Sequence, residues 1–175
     1  MQIIYDFGIS LAEYNRRSVE NVFPVIERCP CCGYPGRLNR HGFYWRNAVF
    51  FLHQFRIPIL RLKCSSCDKT VSILPDFLLP YFQYTLRFIL KHLRDFFFKG
   101  ERSIYYQLLQ FYRRRFSRNL NRIVAYFRDK DYRGVVPGDP KEKAIKLLDM
   151  ICAFPKAETF AKRFQDHFQS SFMAN

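Results

Sequence analysis

Cys29-Pro30-Cys31-Cys32-Gly33 and, further on, Cys64-Ser65-Ser66-Cys67-Asp68-Lys69 are the two stretches that decide how this chain is read. Pairing Cys29 with Cys32 and Cys64 with Cys67 gives C-x2-C twice. Two residues between thiolates let a tight turn aim both sulfurs at one metal. Two such turns supply the tetrahedral four-sulfur shell that structural zinc prefers. Cys31 is then the extra thiol, because C-x-C makes a poorer bidentate turn. Gly33 suits the left-handed position that closes such a knuckle. Lys63 and Lys69 flank the second pair and would offset the negative charge of a tetrathiolate. His41 and His53 are possible substitute ligands, but with four well-spaced cysteines the expectation for both is a surface or hairpin role. A redox C-x2-C needs a βαβ setting, which the surrounding pattern lacks.

Between the cysteine pairs the sequence reads as strands. One covers residues 37–46 and a second covers 49–63. In the second, Phe55, Ile57 and Ile59 alternate with Arg56 and Pro58, and the phase flips at Leu60 and Leu62. That flip predicts a bulge near Pro58. Knuckle, hairpin, knuckle is the organisation of a zinc ribbon, in which Zn2+ contributes on the order of 10 kcal/mol of local folding energy.

Helical spacing takes over after Leu74. Residues 74–81 read as a proline-bounded apolar linker that packs on the next domain. A helix is predicted over 82–98, ended by Gly100. A second is predicted from Ser103 to Phe111, followed by a basic turn, Tyr112-Arg113-Arg114-Arg115-Phe116. Ser117 is the expected N-cap of a third helix, from Arg118 to about Lys130. Helix, turn and capped helix read as a helix-turn-helix. Arg118, Asn121 and Arg122 would then face base edges, since Arg can bind guanine and Asn adenine in bidentate fashion. Arg113, Arg114 and Arg115 would meet phosphates. A further helix is expected over 141–151. Phe160, Phe164, Phe168 and Phe172 recur every four residues on a last one, a pattern of a core face more than of a docking face. Cys152 and His167 are expected to be structural or surface residues.

Charge points the same way. The 175 residues carry 29 Lys+Arg against 15 Asp+Glu, a net +14, with 49% hydrophobic and 18% aromatic residues. Such a chain can bury a core, so it is no disordered basic tail. The excess is concentrated: residues 87–133 hold 13 basic and 4 acidic residues, net +9, while residues 134–175 are nearly neutral. That predicts a polyanion surface in the middle third. No stretch suits a targeting signal or a membrane span, so a reducing, cytoplasmic and nucleoid-associated setting is expected.

Together, Cys29-Pro-x-Cys32-Gly33, Arg40-His41-Gly42-Phe43-Tyr44, Arg56-Ile57-Pro58 with Arg61, Cys64-x-x-Cys67 and Leu74-Pro75-Asp76-Phe77-Leu78-x-Pro80-Tyr81 resemble a family of small bacterial proteins. These combine a transposase-type zinc ribbon with a helix-turn-helix. They are similar to the N-terminal DNA-binding part of insertion-sequence transposases, without the nuclease domain. The similarity spans about residues 23–130. It implies duplex DNA binding linked to a mobile element and a transposase or recombinase as a possible partner. It also implies metal ligation by Cys29, Cys32, Cys64 and Cys67, with Ser117 to Arg122 opening the recognition helix.

The expected architecture is therefore α+β and mainly α. It comprises an N-terminal arm (1–22), a zinc ribbon (23–74), a helix-turn-helix domain (75–133) and a C-terminal helical segment (134–175). No catalysis is expected. Strand transfer needs three carboxylates holding two metals on a large sheet, the acids are scattered, and no phosphate loop, serine elbow or H-E-x-x-H motif occurs. Two other functions fit the composition. One is a zinc-stabilised adaptor docking a recombinase or another partner through the Phe-rich helix; the other is an RNA binder.

Overall fold

The computed structural model describes residues 1–102 and 104–174. It is α+β, with six α-helices and a four-stranded mixed sheet among those residues. The chain divides into two compact units, Met1–Thr85 and Leu86–Asn175.

The N-terminal unit is built on strands β1 (Gln2–Tyr5), β2 (Asn39–Phe50), β3 (His53–Lys63) and β4 (Thr70–Pro75), with helix α1 (Leu11–Arg17) after β1. The sheet order is β1-β4-β3-β2. β2 and β3 form a long antiparallel hairpin turned by Phe51 and Leu52, with Phe50 opposite His53. β4 runs antiparallel to β3 from Leu60↔Ile73 to Lys63↔Thr70. β1 pairs with β4 in parallel, Gln2↔Ser72 to Tyr5↔Pro75.

The first residues are thus no arm. Ile4 is buried, and the Tyr14 hydroxyl of α1 donates a 2.8 Å hydrogen bond to the Pro58 carbonyl of β3. Around it Phe7, Phe23 and Phe77 pack edge to face, with ring centroids 4.9 to 6.5 Å apart.

The predicted bulge near Pro58 is absent. Pro58 pairs with Trp45 in register, and the shift lies on β2 between Arg40 and Phe43, where Gly42 takes φ +93°. Residues 57–60 are all buried, so β3 is covered on both faces there. A strand covered on both faces need not alternate, and the apolar run imitated a change of phase. Pro58 also lies beyond the stretch that β4 pairs, where a missing amide hydrogen is tolerated.

The linker reading of residues 74–81 is corrected in the same unit. Phe77, Leu78, Leu79 and Phe82 are buried. Bridges Leu78↔Thr85 and Val49↔Tyr84 tie this segment to the first unit, which moves the start of the helical part to Leu86.

The C-terminal unit is all helical: α2 (Leu86–Arg94), α3 (Tyr106–Arg118), α4 (Leu120–Asp129), α5 (Pro140–Cys152) and α6 (Ala157–Phe168). A π-helical turn, Asp95–Lys99, extends α2, and Gly100 ends it at φ +73°. The predicted basic turn is not a turn. Residues 112–116 lie inside α3, and so does Ser117, which therefore caps nothing. Leu109, Tyr112 and Phe116 are buried at helical spacing, and no Gly or Pro interrupts residues 106–118. The buried stripe carries the helix through the run of arginines. The break comes at Asn119 alone, at φ −98° and ψ 1°. Its side-chain amide donates to the carbonyls of Arg115 and Ala174, both at 2.8 Å. Ser103, the predicted start of this helix, lies outside the described residues.

Asp139 caps α5 by accepting from the Lys141 and Glu142 amides at 2.9 Å, with Pro140 in the first turn. Phe160, Phe164 and Phe172 are fully buried. Phe172 lies beyond α6, which Gln169 closes at φ +54°. Three of the four rings of this stripe are therefore core, and Phe168 is half-buried. Among the described residues no helix is long and apolar enough to cross a membrane.

Candidate metal centre and basic surface

The two cysteine turns have one design. The Cys29 amide donates to the Tyr34 carbonyl at 3.0 Å and the Cys29 carbonyl accepts from Gly33 at 2.8 Å. In the second turn the Cys64 amide donates to Lys69 and the Cys64 carbonyl accepts from Asp68, both at 3.1 Å. Closing each turn needs a left-handed residue, and it falls at the same place: Gly33 at φ +74° and Asp68 at φ +60°. Aspartate is among the few side chains that tolerate this region, which explains why one knuckle lacks glycine. Asp68 also receives Lys63, at 2.7 Å. Lys69 is exposed beside the pair.

The sulfurs converge. Cys29 Sγ lies 3.8 Å from Cys67 Sγ, and Cys32 Sγ lies 3.9 Å from Cys64 Sγ. All four lie within 4.8 Å of one another. A tetrahedral metal with metal–sulfur bonds of about 2.3 Å sets its sulfurs about 3.8 Å apart. Distances and donors therefore fit a thiophilic cation, and the four cysteines could hold a metal ion. Cys29 and Cys64 are buried, Cys67 is half-buried and Cys32 is exposed. Burial opposes ionisation at Cys29, but the Cys31 and Cys32 amides and the neighbouring thiols bring it down to about 6. Cys67 is pushed up to about 12: the Lys69 amide favours its thiolate, but burial and the other three sulfurs outweigh it. Four thiolates cannot gather without a cation, and binding one must expel their protons.

Cys31, His41 and His53 are outside the cluster, and both histidines are exposed on the hairpin strands. Cys152 is half-buried in α5, and His167 of α6 meets Asp129 at 2.8 Å.

The six residues proposed to contact DNA separate into two groups. Arg122 is committed to the fold. It donates to Ser170 Oγ at 2.5 Å and lies 5.2 Å from the Phe168 ring and 5.7 Å from that of Phe164. Arg115 donates to the Met173 carbonyl and covers Phe111 at 4.6 Å. Arg113 lies 5.2 Å from the Phe96 ring. Base reading by Arg122 is therefore corrected: its fork is spent on the C-terminal residues. Arg114, Arg118 and Asn121 are exposed. Arg114 and Arg118 stand one turn apart on α3, so they share a face. Among the described residues neither has an ion-pair or hydrogen-bond partner. Gln107, exposed and seven residues before Arg114, continues that face. Sequence reasoning missed it because it assigned residues 112–116 to a turn.

Many other cations of this unit are compensated. Arg87 meets Glu158 at 2.8 Å, Lys91 meets Asp95 at 2.6 Å and Lys162 meets Asp166 at 2.7 Å.

Residues 29–110 match a family described as a domain of unknown function (DUF6431). The match takes in both cysteine turns and ends in the first turns of α3. No curated protein and no solved structure matches the chain.

Proposed function

We propose that this protein is a DNA-binding accessory or regulatory factor in which a zinc-held ribbon accompanies a helical unit that grips duplex DNA. The observation that carries this reading is the face of α3, where Arg114 and Arg118 are exposed without a counter-charge. They lie in the segment holding most of the net charge. A phosphate backbone is the polyanion such a face suits, because each neutralised phosphate releases condensed counterions. In this reading α3, rather than the later helix, faces the groove of the duplex. Asn121 remains a candidate base contact just past the Asn119 break. Zinc is the favoured ion for four thiolates at tetrahedral spacing. The link to mobile-element transposition, and to a transposase or recombinase partner, rests on the resemblance of residues 23–130. The reading assigns the chain no catalytic step.

The test is duplex binding across a series of salt concentrations. Wild-type affinity should fall steeply with salt. Arg114→Ala/Arg118→Ala should lower the slope of log K against log salt by about 2 and weaken binding alike on unrelated sequences. Equal affinity and slope for the variant and wild type would contradict the assignment.

A further inference from the structure

β2 is an edge strand. Between its outer edge and the turn at residues 81–83 runs an open groove of about 880 Å³. Two aromatic rings stand exposed there, Trp45 at 48% and Tyr81 at 78%. Tyr81 is held out by an unusual backbone, φ +69°, and its amide donates to Gln2 Oε1 at 3.2 Å. Strained non-glycine positions of this kind persist where the surroundings over-determine them, and they cluster at ligand sites.

The groove also carries positive charge. Arg46 lies at its base, donating to the carbonyls of Phe82 at 2.6 Å and Leu79 at 3.2 Å and to Gln2 Oε1 at 3.2 Å. Those acceptors are neutral, so its charge is not cancelled. Arg56 is exposed on β3 opposite Asn47. The lining holds no carboxylate, and Gln54 and Gln83 add exposed amides. Aromatic faces, uncompensated arginines and amide groups along one groove are what an unpaired nucleotide strand requires. Bases stack on the rings, phosphates meet the arginines, and amides reach base edges. A duplex buries its base faces and cannot use the rings.

We propose that this groove binds single-stranded nucleic acid, with Trp45 and Tyr81 as stacking platforms and Arg56 as the phosphate contact, while Arg46, whose fork is spent on Gln2, Leu79 and Phe82, holds the Tyr81 turn and adds positive potential. The site is separate from the α3 face and does not depend on the duplex reading.

Trp45 is the only tryptophan in the chain, so its emission reports on this groove alone. The 175-residue chain is titrated with oligo-dU, with oligo-rU of equal length and with a dA·dT duplex. Saturable quenching by either single strand, and little by the duplex, is expected. The two single-strand arms show whether the sugar matters, and quenching by one or by both supports the site. Tyr81→Ala and Arg56→Ala, both at exposed positions, should each weaken quenching at least about fivefold. Arg114→Ala/Arg118→Ala should leave it unchanged, which separates this site from the duplex surface. Unchanged Trp45 emission with both single strands overturns the proposal, and so does equal quenching by the duplex. Full affinity in both Tyr81→Ala and Arg56→Ala also overturns it.

Discussion

A Cys64→Ser chain is expected to lose its metal and to melt in its N-terminal unit while the helical unit stays folded. Cys64 is buried at the end of β3, and its sulfur faces that of Cys32 at 3.9 Å. Serine keeps the shape but offers no thiolate. The three remaining cysteines then lack the charge and geometry of the closed shell. Structural zinc contributes on the order of 10 kcal/mol to small metal-held folds. One kcal/mol moves the melting temperature of a unit this size by roughly 4–8 °C. Loss of even half the metal term should therefore lower the N-terminal melting transition by about 20 °C or more. The helical unit has its own core, so far-ultraviolet helicity should survive. Differential scanning calorimetry with circular dichroism separates the two. An unshifted N-terminal transition in the metal-loaded comparison would show that the sheet core holds the unit without the cysteines.

Phe160→Ala should do the reverse. The Phe160 ring is fully buried, with centroids 5.2 Å from Phe172, 5.3 Å from Tyr126, 5.6 Å from Phe154 and 5.7 Å from Phe164. It stacks on Phe127 at 5.6 Å with 15° between the planes. Removing a ring from such a cluster costs about 3–5 kcal/mol, from lost transfer energy and the cavity left behind. Denaturant unfolding followed by helicity should show that loss, with metal content unchanged. Phe168→Ala, at a half-buried position, should cost less. A Phe160→Ala cost below about 1 kcal/mol would mean that this face is not core and would favour docking through it.

The cysteine site was legible in the sequence because ligand chemistry restricts spacing: two C-x2-C turns leave few other readings. Gly33 as a left-handed closer was legible for the same local reason, whereas Asp68 in the matching role was not, since aspartate is common in ordinary turns. Nonlocal features escaped. β1 is four residues long and pairs with β4 across some seventy positions, so nothing near Ile3 and Ile4 announces it. Pro58 misled because cover on both faces erases alternation. In α3 the run Arg113-Arg114-Arg115 drew attention as a charge cluster, although Leu109, Tyr112 and Phe116 already traced an unbroken helical stripe. Arg122 could not be recognised as structural, because its partner Ser170 is 48 positions away.

Metal analysis of the purified, folded wild-type chain decides whether the four cysteines hold a metal unit. About one equivalent of zinc per chain is expected, released on denaturation or by a thiol-reactive reagent. A folded chain carrying less than about half an equivalent of any metal, with four freely titrating thiols at these positions, would contradict it.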